Sequence, residues 1–324
     1  MVSENLLTFA SNAYNFDKST LDFVSDSTNQ IYVFQKNGKH HILRFSNRPT
    51  DKISETKAEM EWLYYLAKNN IRAGLPLEAV GGELVISAQE SDEHYIVTSF
   101  EAFTSGVFWD KNNPQLWNAT VFHNWGKVMG DIHRLTKDFK PSDEKVKRST
   151  FDGRFALEDS VKNCPTVNAI VEDLISEMIV LPKDRDSYGL IHNDMHQWNF
   201  LVDGNEINVF DFDDAVYGWF AMDIGIALYH ALWWGRKNDA GEDFTDSIIQ
   251  NFIKGYLSAN ELSDFWIAKI PLFMKFRQIC KFSWFFDPDN IDEHQKERIY
   301  NIENDILFTG CENIGRLLTA LRNA

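Results

Sequence analysis

Two short apolar runs near the middle of the chain, separated by a tight turn, constrain its fold more than any other feature. The first run covers residues 190–202, the second covers residues 208–215, and Asp203-Gly204-Asn205 lies between them. Apolar runs on both sides of such a turn predict the two strands of a β-hairpin. The polar residues of these runs are His192, Asp194 and Asn199 on a loop, and Asp211 near the end of the second run. We expect the hairpin to bring the two carboxylates and the amide together.

Strand signals dominate the first 100 residues, and helix signals dominate the rest. A helix is predicted near residues 5–13, and a second helix begins near Ser54, where apolar residues recur at helical spacing. Five strands are predicted near residues 21–24, 31–34, 41–45, 84–87 and 94–100. The pattern predicts an α+β, bilobal fold. Its small antiparallel β lobe contains one key helix and covers residues 1–100, a hinge lies at about residues 99–106, and a larger, mainly helical lobe covers residues 107–324.

Helices of the larger lobe follow from apolar spacing and from proline positions. Apolar residues from Phe122 to Leu135 and from 168 to 178 predict two of them. Further helices are predicted near residues 221–235, 244–258, 262–285 and 291–321. Pro271 and Pro288 are expected to interrupt or end helices here, because proline lacks a backbone N–H.

The charge and cysteine content exclude several classes of protein. The 324 residues include 32 basic and 48 acidic side chains, which gives a net charge of −16. This balance argues against nucleic-acid partners and against anionic membranes, and it fits either a cationic substrate or simple solubility. The three cysteines are far apart, and the first residues lack a basic segment, so we expect reduced thiols, no membrane span and a cytoplasmic location.

The carboxylates and the amide of the central runs suit phosphoryl transfer from a magnesium nucleotide. One carboxylate would take the proton of the acceptor hydroxyl, while the other carboxylate and the amide would bind Mg²⁺. Each of these residues alone would be an ordinary turn residue, because Asp and Asn are common in turns. Their joint spacing and the flanking strands favour the catalytic interpretation. His192 and His196 are four residues apart, and a zinc pair is the alternative there, but it needs a helix and a third ligand.

The spacing His192-x-Asp194-x4-Asn199, followed by residues 210–213 (Phe-Asp-Phe-Asp), resembles the aminoglycoside phosphotransferase and choline kinase superfamily, which is related to the protein kinases. The resemblance covers about residues 20–240 and is strongest over 188–228. It implies that Asp194 is the catalytic base and that Asn199 and Asp211 bind Mg²⁺. It also implies that His192 supports the catalytic loop and that Asp223 holds this loop in place.

The same resemblance implies a site for ATP or GTP in the small lobe. Arg44 would contact the α- and β-phosphates and pair with Glu59, in place of the lysine of protein kinases. Backbone groups near Ser99, Phe100 and Ala102 would contact the adenine edge, and the turn at residues 25–30 would meet phosphates through its amides and through Ser27 and Thr28. This turn contains no glycine, and Asp213 stands where protein kinases have glycine, which favours the small-molecule branch.

An amine-bearing acceptor is expected to meet carboxylates and aromatic faces. The candidate residues are Asp213, Asp214, Asp239, Glu242, Asp243, Trp219 and Trp234. Asp213 and Asp214 could also help to bind metal or form a plain acidic turn. Trp233 and Trp234 diverge by about 100° on a helix, so one of them is expected to face the acceptor site.

Three functions remain open from the sequence. The first is a kinase that uses Mg²⁺ and ATP or GTP to phosphorylate a hydroxyl of a small, amine-bearing molecule. The second is a Ser/Thr protein kinase of the bacterial stress-response type, although the short segment after Asp211 favours small molecules. The third is a nucleotide-binding pseudokinase, suggested by the missing glycines and by Arg44. An ATP-consumption assay would separate the third from the other two.

Overall fold

A five-stranded antiparallel sheet organises the first 107 residues of the computed structural model, which describes residues 1–110, 113, 115–151, 157, 159–238, 244–308, 312–313, 319 and 321–322. The spatial order of the strands is β1-β2-β3-β5-β4. Their bounds are β1 Asp22–Asp26, β2 Gln30–Lys36, β3 Lys39–Asn47, β4 Val85–Glu90 and β5 Glu93–Glu101. The β2–β3 hairpin turns at Asn37 and Gly38, which both adopt positive φ, as the Asn-Gly sequence favours.

Two helices accompany this sheet. α1 (Glu4–Tyr14) begins at Ser3, whose hydroxyl accepts a hydrogen bond from the Leu6 N–H at 3.2 Å. Leu6, Ala10 and Tyr14 of α1 belong to the same buried cluster as Tyr32, Phe34, Leu43 and Phe45 of the sheet. α2 (Ile53–Lys68) buries Trp62, Leu66 and also Glu59, so this helix carries a carboxylate on its buried side.

The central apolar runs form two short strand pairs. β6 (Tyr188–Ile191) pairs with β9 (Val216–Trp219), while β7 (Phe200–Asp203) pairs with β8 (Glu206–Val209). The predicted turn is confirmed, because Gly204 adopts a φ of 61° between β7 and β8. The first run, however, is a strand, a loop and another strand. In this loop Asn193 has a φ of 67°, a left-handed conformation that does not continue a strand, so β6 ends just before it. The polar residues His192, Asp194 and Asn199 therefore lie on a loop.

Helices are the main elements among the described residues after residue 107. They are α3 (Ala119–Thr136), α4 (Pro165–Ile179), α5 (Phe220–Lys237), α6 (Phe244–Leu257), α7 (Asp264–Phe285) and α8 (Glu293–Glu303). α8 is shorter than the predicted 291–321, because Asn304 and Asp305 form a turn in which Asp305 has a φ of 56°. The strands β10 (Ile306–Phe308) and β11 (Glu312–Asn313) follow.

The expectation that Pro271 interrupts a helix is wrong. α7 continues through Pro271, and its neighbours Ile270, Phe273 and Met274 are buried. The apolar contacts on both sides of the proline offset the backbone hydrogen bond that it cannot make. α7 therefore presents one long helical face, and Arg277 lies on it.

α3 and α6 approach each other closely at two glycines. A Cβ on Gly126 would lie 1.9 Å from the Phe252 carbonyl oxygen, and a Cβ on Gly255 would lie 1.8 Å from the His123 carbonyl oxygen. Only glycine permits this backbone contact. The close crossing brings Tyr256 of α6 to His133 of α3, whose other ring nitrogen contacts Asp223.

The chain divides into two compact units. The first unit contains residues 1–107, 138–149 and 208–213, and the second contains residues 108–137, 150–207 and 214–324. The sequence assigned residues 138–149 and 208–213 to the larger lobe, but they belong to the first unit. The α+β class is confirmed, with a sheet in one unit and mainly helices in the other.

Among the described residues, no helix is both long and apolar enough to cross a membrane. Cys164 and Cys280 are buried thiols, and Cys311 lies outside the described residues.

Candidate active site

The loop between β6 and β7 holds Asp194 in a fixed orientation. The Asn199 side-chain amide donates from Nδ2 to the Asp194 backbone oxygen at 2.9 Å and to its Oδ2 at 3.2 Å. Arg277 of α7 donates from Nη2 to Asp194 Oδ1. The Asp194 side chain is 18% exposed, so a small molecule can reach it. Both bonds of Asn199 use its nitrogen, which leaves its Oδ1, a hard oxygen, as a possible metal ligand.

Asp223 supports this loop from α5. Its two carboxylate oxygens accept hydrogen bonds from the backbone N–H groups of His192 at 2.9 Å and Asn193 at 2.8 Å. The carboxylate is fully buried, and burial alone would raise its pKa. Hydrogen bonds from His133 and from the His192 backbone outweigh burial and lower the pKa of Asp223, so it remains charged.

His133 connects Asp223 to the α3–α6 crossing. Its Nε2 lies 3.1 Å from Asp223 Oδ2, and its Nδ1 lies 3.0 Å from the Tyr256 hydroxyl. Because Asp223 can only accept, Nε2 carries the proton and Nδ1 accepts from Tyr256. Burial lowers the pKa of His133, which keeps the imidazole neutral. Asn260 donates to the Tyr256 hydroxyl at 2.9 Å, so every member of this chain of contacts has a partner.

The two histidines of the loop have different environments. His192 is buried, and its Nδ1 accepts a hydrogen bond from the Asp194 backbone N–H at 3.3 Å. His196 accepts from the Trp198 backbone N–H at 3.1 Å, and its Nε2 lies 3.5 Å from Asp194 Oδ2. Burial lowers the pKa of His196. No group of three or more His, Cys, Asp or Glu side chains within the described ranges is placed to bind a metal.

In the first unit, Arg44 and Glu59 form the expected ion pair. Arg44 Nη1 and Nη2 donate to Glu59 Oε1 and Oε2 at 2.8 and 2.9 Å. The side chains are 4% and 1% exposed. Burial opposes the guanidinium charge, but Glu59 and Asp213 outweigh burial and raise the pKa of Arg44 above its ordinary value. Arg44 Nε donates to the Thr98 hydroxyl at 3.2 Å, which fixes the plane of the guanidinium. The nucleotide role of the pair remains a prediction.

Asp211 and Asp213 follow β8 and differ in exposure. Asp211 is exposed and has a φ of 64°, a conformation that is uncommon for a residue with a side chain and is often found at functional sites. Asp213 is buried, and Arg48, Asn29 and Arg44 surround its carboxylate. Burial alone would raise the pKa of Asp213, but the two arginines lower it to about 2.

The Asp213 carboxylate is held by side chains of the first unit, and its expected contact with the acceptor or the metal stays a prediction. Its Oδ2 accepts hydrogen bonds from Arg48 and from Asn29, the latter at 3.1 Å. Its backbone oxygen accepts from Arg148. The carboxylate therefore stabilises the first unit around Arg44. Asp214 is exposed, belongs to the second unit, and accepts at its backbone oxygen from Asn193 Nδ2 at 3.0 Å.

The expected nucleotide residues of the turn and hinge are placed as follows. Ser27 and Thr28 are exposed in the β1–β2 turn, next to the buried Asn29 that contacts Asp213. Ser99 is buried, its hydroxyl donates to the Ile42 oxygen at 2.9 Å, and Phe100 is partly exposed. The Ala102 backbone N–H donates to the His40 oxygen at 3.0 Å. The Ala102 N–H is therefore already paired within the sheet, and the contact of this segment with an adenine ring stays a prediction.

Trp219 and Trp234, the two aromatic residues expected at the acceptor site, differ in their exposure to solvent. Trp219 is fully buried, and its indole N–H donates to the Pro182 oxygen at 2.8 Å. This burial removes Trp219 from the candidate acceptor residues. Trp234 is partly exposed and forms a three-tryptophan cluster with Trp109 and Trp198, in which each pair of ring centroids is 5.6 Å apart. Asp239, Glu242 and Asp243 lie outside the described residues.

Several contacting residues were not predicted from the sequence. Arg277 and His133 contact or support the catalytic loop, while Asn29, Arg48 and Arg148 hold Asp213. Arg277 had a usable signal, because it is a charged residue among the apolar residues of α7, and such residues are rarely buried without a partner. His133 lies four residues after the buried Met129, on the same helical face.

Comparison with known proteins identifies the family of this chain. Residues 20–265 match the phosphotransferase enzyme family. An amicoumacin kinase of Bacillus subtilis (strain 168) is 32% identical over 314 residues, which cover 94% of this chain and 91% of the relative. The resemblance stated from the sequence motifs is thereby confirmed.

Solved structures show the same fold. The amicoumacin kinase hAmiN in complex with AMP-PNP, Ca²⁺ and Ami superposes with a TM-score of 0.80 at 25% identity, covering 95% of this chain and 93% of that chain. A microcompartment-associated aminopropanol kinase superposes with a TM-score of 0.71 at 19% identity, covering 98% of both chains. At this lower identity the second comparison supports the fold alone.

Proposed function

The chain belongs to the phosphotransferase enzyme family and is a small-molecule kinase, and from this premise we propose that it transfers the γ-phosphate of ATP to a hydroxyl group of a small molecule with the help of Mg²⁺. The observation that carries the proposal is the environment of Asp194. A partly exposed carboxylate is oriented by Asn199 and Arg277, on a loop whose backbone is bonded to Asp223.

Asp194 acts as the general base in this proposal. Its carboxylate accepts the proton of the acceptor hydroxyl as the oxygen of that hydroxyl bonds to the γ-phosphorus, and the bond from phosphorus to the leaving oxygen of the nucleotide breaks. Asn199 and Arg277 prevent rotation of the carboxylate, so that the base keeps one orientation. Such orientation is a large part of catalysis in phosphoryl transfer, because the protein does little covalent chemistry.

Asn199 and Asp211 would hold the metal ion. The Asn199 Oδ1 and the Asp211 carboxylate are hard oxygen donors, which Mg²⁺ prefers. When bound, Mg²⁺ neutralises phosphate charge. Support for a divalent ion and an ATP-like nucleotide also comes from the AMP-PNP and Ca²⁺ in the structure of the amicoumacin kinase relative. Arg44, fixed by Glu59 and Thr98, is proposed to contact the nucleotide phosphates.

The acceptor is proposed to carry an amine as well as a hydroxyl. The amicoumacin kinase relative supports a small-molecule acceptor. In this chain, the faces of Trp198 and Trp234 are candidates for cation–π contact, and Asp214 is the candidate carboxylate. Trp198 follows the catalytic base by four residues, so the tryptophan cluster is next to the reacting loop.

An ATP-consumption screen tests this function. Purified enzyme with Mg²⁺ would be offered amino alcohols, aminoglycosides, sugars and peptides. We expect turnover with small hydroxylated molecules, and an Asp194→Asn variant should lower kcat by about 10²–10⁴-fold while the ATP affinity stays within about twofold. The matched control is Asp173→Ala, which removes an exposed carboxylate of α4.

The outcomes separate the alternatives. Turnover with peptides alone would favour the Ser/Thr protein kinase, and ATP binding without consumption for any acceptor would favour the pseudokinase. Undiminished kcat in Asp194→Asn would contradict the role of Asp194 as the base.

A further inference from the structure

Three helices of the second unit line a cavity of about 770 Å³. Tyr229, Trp233 and Lys237 of α5 contribute residues four apart, which share one helical face. α7 contributes Gln278, Lys281, Phe282 and Phe285, while α8 contributes a face around Arg298 and Ile302. Cavities of this size and mixed lining are typical of small-molecule sites in proteins.

The charges that line this cavity are mainly positive. Lys237, Lys281 and Arg298 contribute three cations, while Asp292 contributes the one carboxylate among the described lining residues. Asp292 is already used at the start of α8, where its Oδ1 accepts from the Gln295 backbone N–H at 2.7 Å. In the described part of the chain, no salt bridge reaches any of the three cations. A protein with a net charge of −16 therefore gathers three cations here that have no salt bridge to another described residue.

Cation–π contacts with aromatic rings compensate only part of the positive charge in this cavity. Lys281 Nζ lies 4.0 Å and Lys237 Nζ lies 5.1 Å from the Trp233 ring centroid, and Arg298 lies 5.5 Å from the Phe282 ring centroid. Such contacts contribute about 0.5–2 kcal/mol each, but two ammonium groups share one indole and repel each other. Burial and the neighbouring Arg277, Arg298 and Lys237 lower the pKa of Lys281 to about 8. An anion in the cavity would remove this repulsion.

The cavity begins one helical turn from the contact with the catalytic base. Lys281 follows Arg277 by four residues, which is about 6 Å along α7, on the same face. Arg277 donates to Asp194, and the Asp194 carboxylate also acts on the Lys281 charge. The Arg277 that contacts Asp194 and the Lys281 that lines the cavity are thus separated along α7 by less than the length of a small molecule with two functional groups.

We propose that the acceptor of the phosphoryl transfer carries an anionic group, of the carboxylate class, that binds Lys281 and Arg298, and an apolar body that packs against Trp233, Phe282 and Phe285. The inference rests on the proposed function for the identity of this molecule as the acceptor. It adds a recognition element to the expected amine and does not replace it, because a zwitterionic acceptor satisfies both.

A pair of ligands of equal shape tests the site without any turnover. 2-Naphthoate and 2-naphthamide differ in charge and not in size, and their binding can be compared by calorimetry at constant ionic strength without nucleotide. We expect the carboxylate to bind at least tenfold more tightly than the amide, and 2-naphthylmethylamine to bind more weakly than both. Equal affinities for the carboxylate and the amide, or no binding of either, would overturn the proposal.

Two variants assign the effect to the named cations. Lys281→Gln and Arg298→Gln should each weaken 2-naphthoate binding at least fivefold and leave 2-naphthamide binding within twofold. Lys254→Gln is the matched control, because it removes an exposed cation of α6 that does not line the cavity. An equal loss in the control would show long-range attraction only and would contradict the site.

Turnover then links the cavity to the reaction. Hydroxylated carboxylic acids and their methyl esters would be compared in the ATP-consumption assay, with at least tenfold higher kcat/KM expected for the acids. Turnover that is equal for acids and esters would overturn the acceptor inference and leave the kinase function intact. Preferred binding of 2-naphthoate without ATP consumption for any acceptor would instead reject the proposed function and retain the cavity as an anion site.

Discussion

Each unit of this chain contains an arginine–carboxylate pair, and the two pairs are built for different tasks. Arg44 and Glu59 meet through two hydrogen bonds, with side chains 4% and 1% exposed. Arg277 meets Asp194 through Nη2 alone, and Asp194 is 18% exposed. The first pair is a closed, fixed charge arrangement. The second leaves the carboxylate partly exposed, as the proposed general base requires.

The contact made by the Nε of each guanidinium extends this difference. Arg44 Nε donates to the Thr98 hydroxyl, a group that does not titrate near neutral pH. Arg277 Nε donates to His230 Nε2 at 3.0 Å, a nitrogen that must be unprotonated to accept this bond. The first pair should therefore be insensitive to mild acid, while the second depends on the protonation state of one histidine.

Of the three changes predicted here, removing the Glu59 charge should lower the stability of the protein the most, because it breaks the first pair. Glu59→Gln leaves the Arg44 guanidinium buried, with Asp213 3.9 Å away as the remaining nearby carboxylate. We expect the free energy of unfolding to fall by about 3–5 kcal/mol, because an uncompensated buried charge is costly. Urea unfolding followed by circular dichroism measures this. Glu78→Gln, an exposed change in the same unit, should stay within about 0.5 kcal/mol. A loss below 1 kcal/mol for Glu59→Gln would mean that Asp213 compensates Arg44.

Mild acid should weaken the second pair and spare the first. Burial, followed by the charge of Arg277, lowers the pKa of His230 well below its ordinary value of 6.5. Its neutral form thus stabilises the fold above pH 6.5, and this stability is lost as the pH falls below 6.5, because the unfolded chain then binds the proton more readily. Between pH 7 and pH 5 the loss for one such histidine is up to about 2 kcal/mol.

His230→Gln tests this assignment, because glutamine keeps an acceptor for Arg277 but cannot be protonated. We expect the variant to lose less stability than the wild type between pH 7 and pH 5 in thermal unfolding. His40→Gln, an exposed histidine of the first unit, serves as the control and should follow the wild type. Parallel pH curves for His230→Gln and the wild type would contradict the assignment.

Local features of both pairs could be predicted from the sequence. The turn at Gly204 and the strands around it follow from short-range apolar patterns and from turn chemistry. The Arg44–Glu59 pair was expected from the family resemblance, and the loop residues Asp194 and Asn199 are five apart in sequence, so one loop suffices to join them. Short separations limit the number of arrangements that a pattern permits.

Long-range partners could not be predicted in this way. Arg277 lies 83 residues from Asp194, and Asn29 lies 184 residues from Asp213, so neither contact is encoded in a local pattern. The burial of Trp219 depends on how β9 packs in the second unit, which a local pattern does not encode. Apolar spacing also failed to end α8 at Glu303, where the positive φ of Asp305 ends the helix.

Replacing Arg277 should have the smallest effect of the three and should appear in kcat rather than in nucleotide binding. Arg277→Met removes both the donor to Asp194 and the donor to His230, so Asp194 keeps its contact with Asn199 but loses one constraint on its orientation. We expect kcat to fall about tenfold, equivalent to about 1.4 kcal/mol, with the ATP KM within twofold.

Arg277→Lys should recover part of the loss, because an ammonium group can reach one of the two partners but lacks the planar fork. Arg134→Met, which removes an exposed guanidinium of α3, should leave kcat unchanged. A different outcome is that Arg277→Met changes stability alone, with kcat per folded enzyme equal to the wild type. Arg277 would then be a structural partner of Asp194, as Arg44 is of Glu59. The two pairs would then differ only in their exposure to solvent.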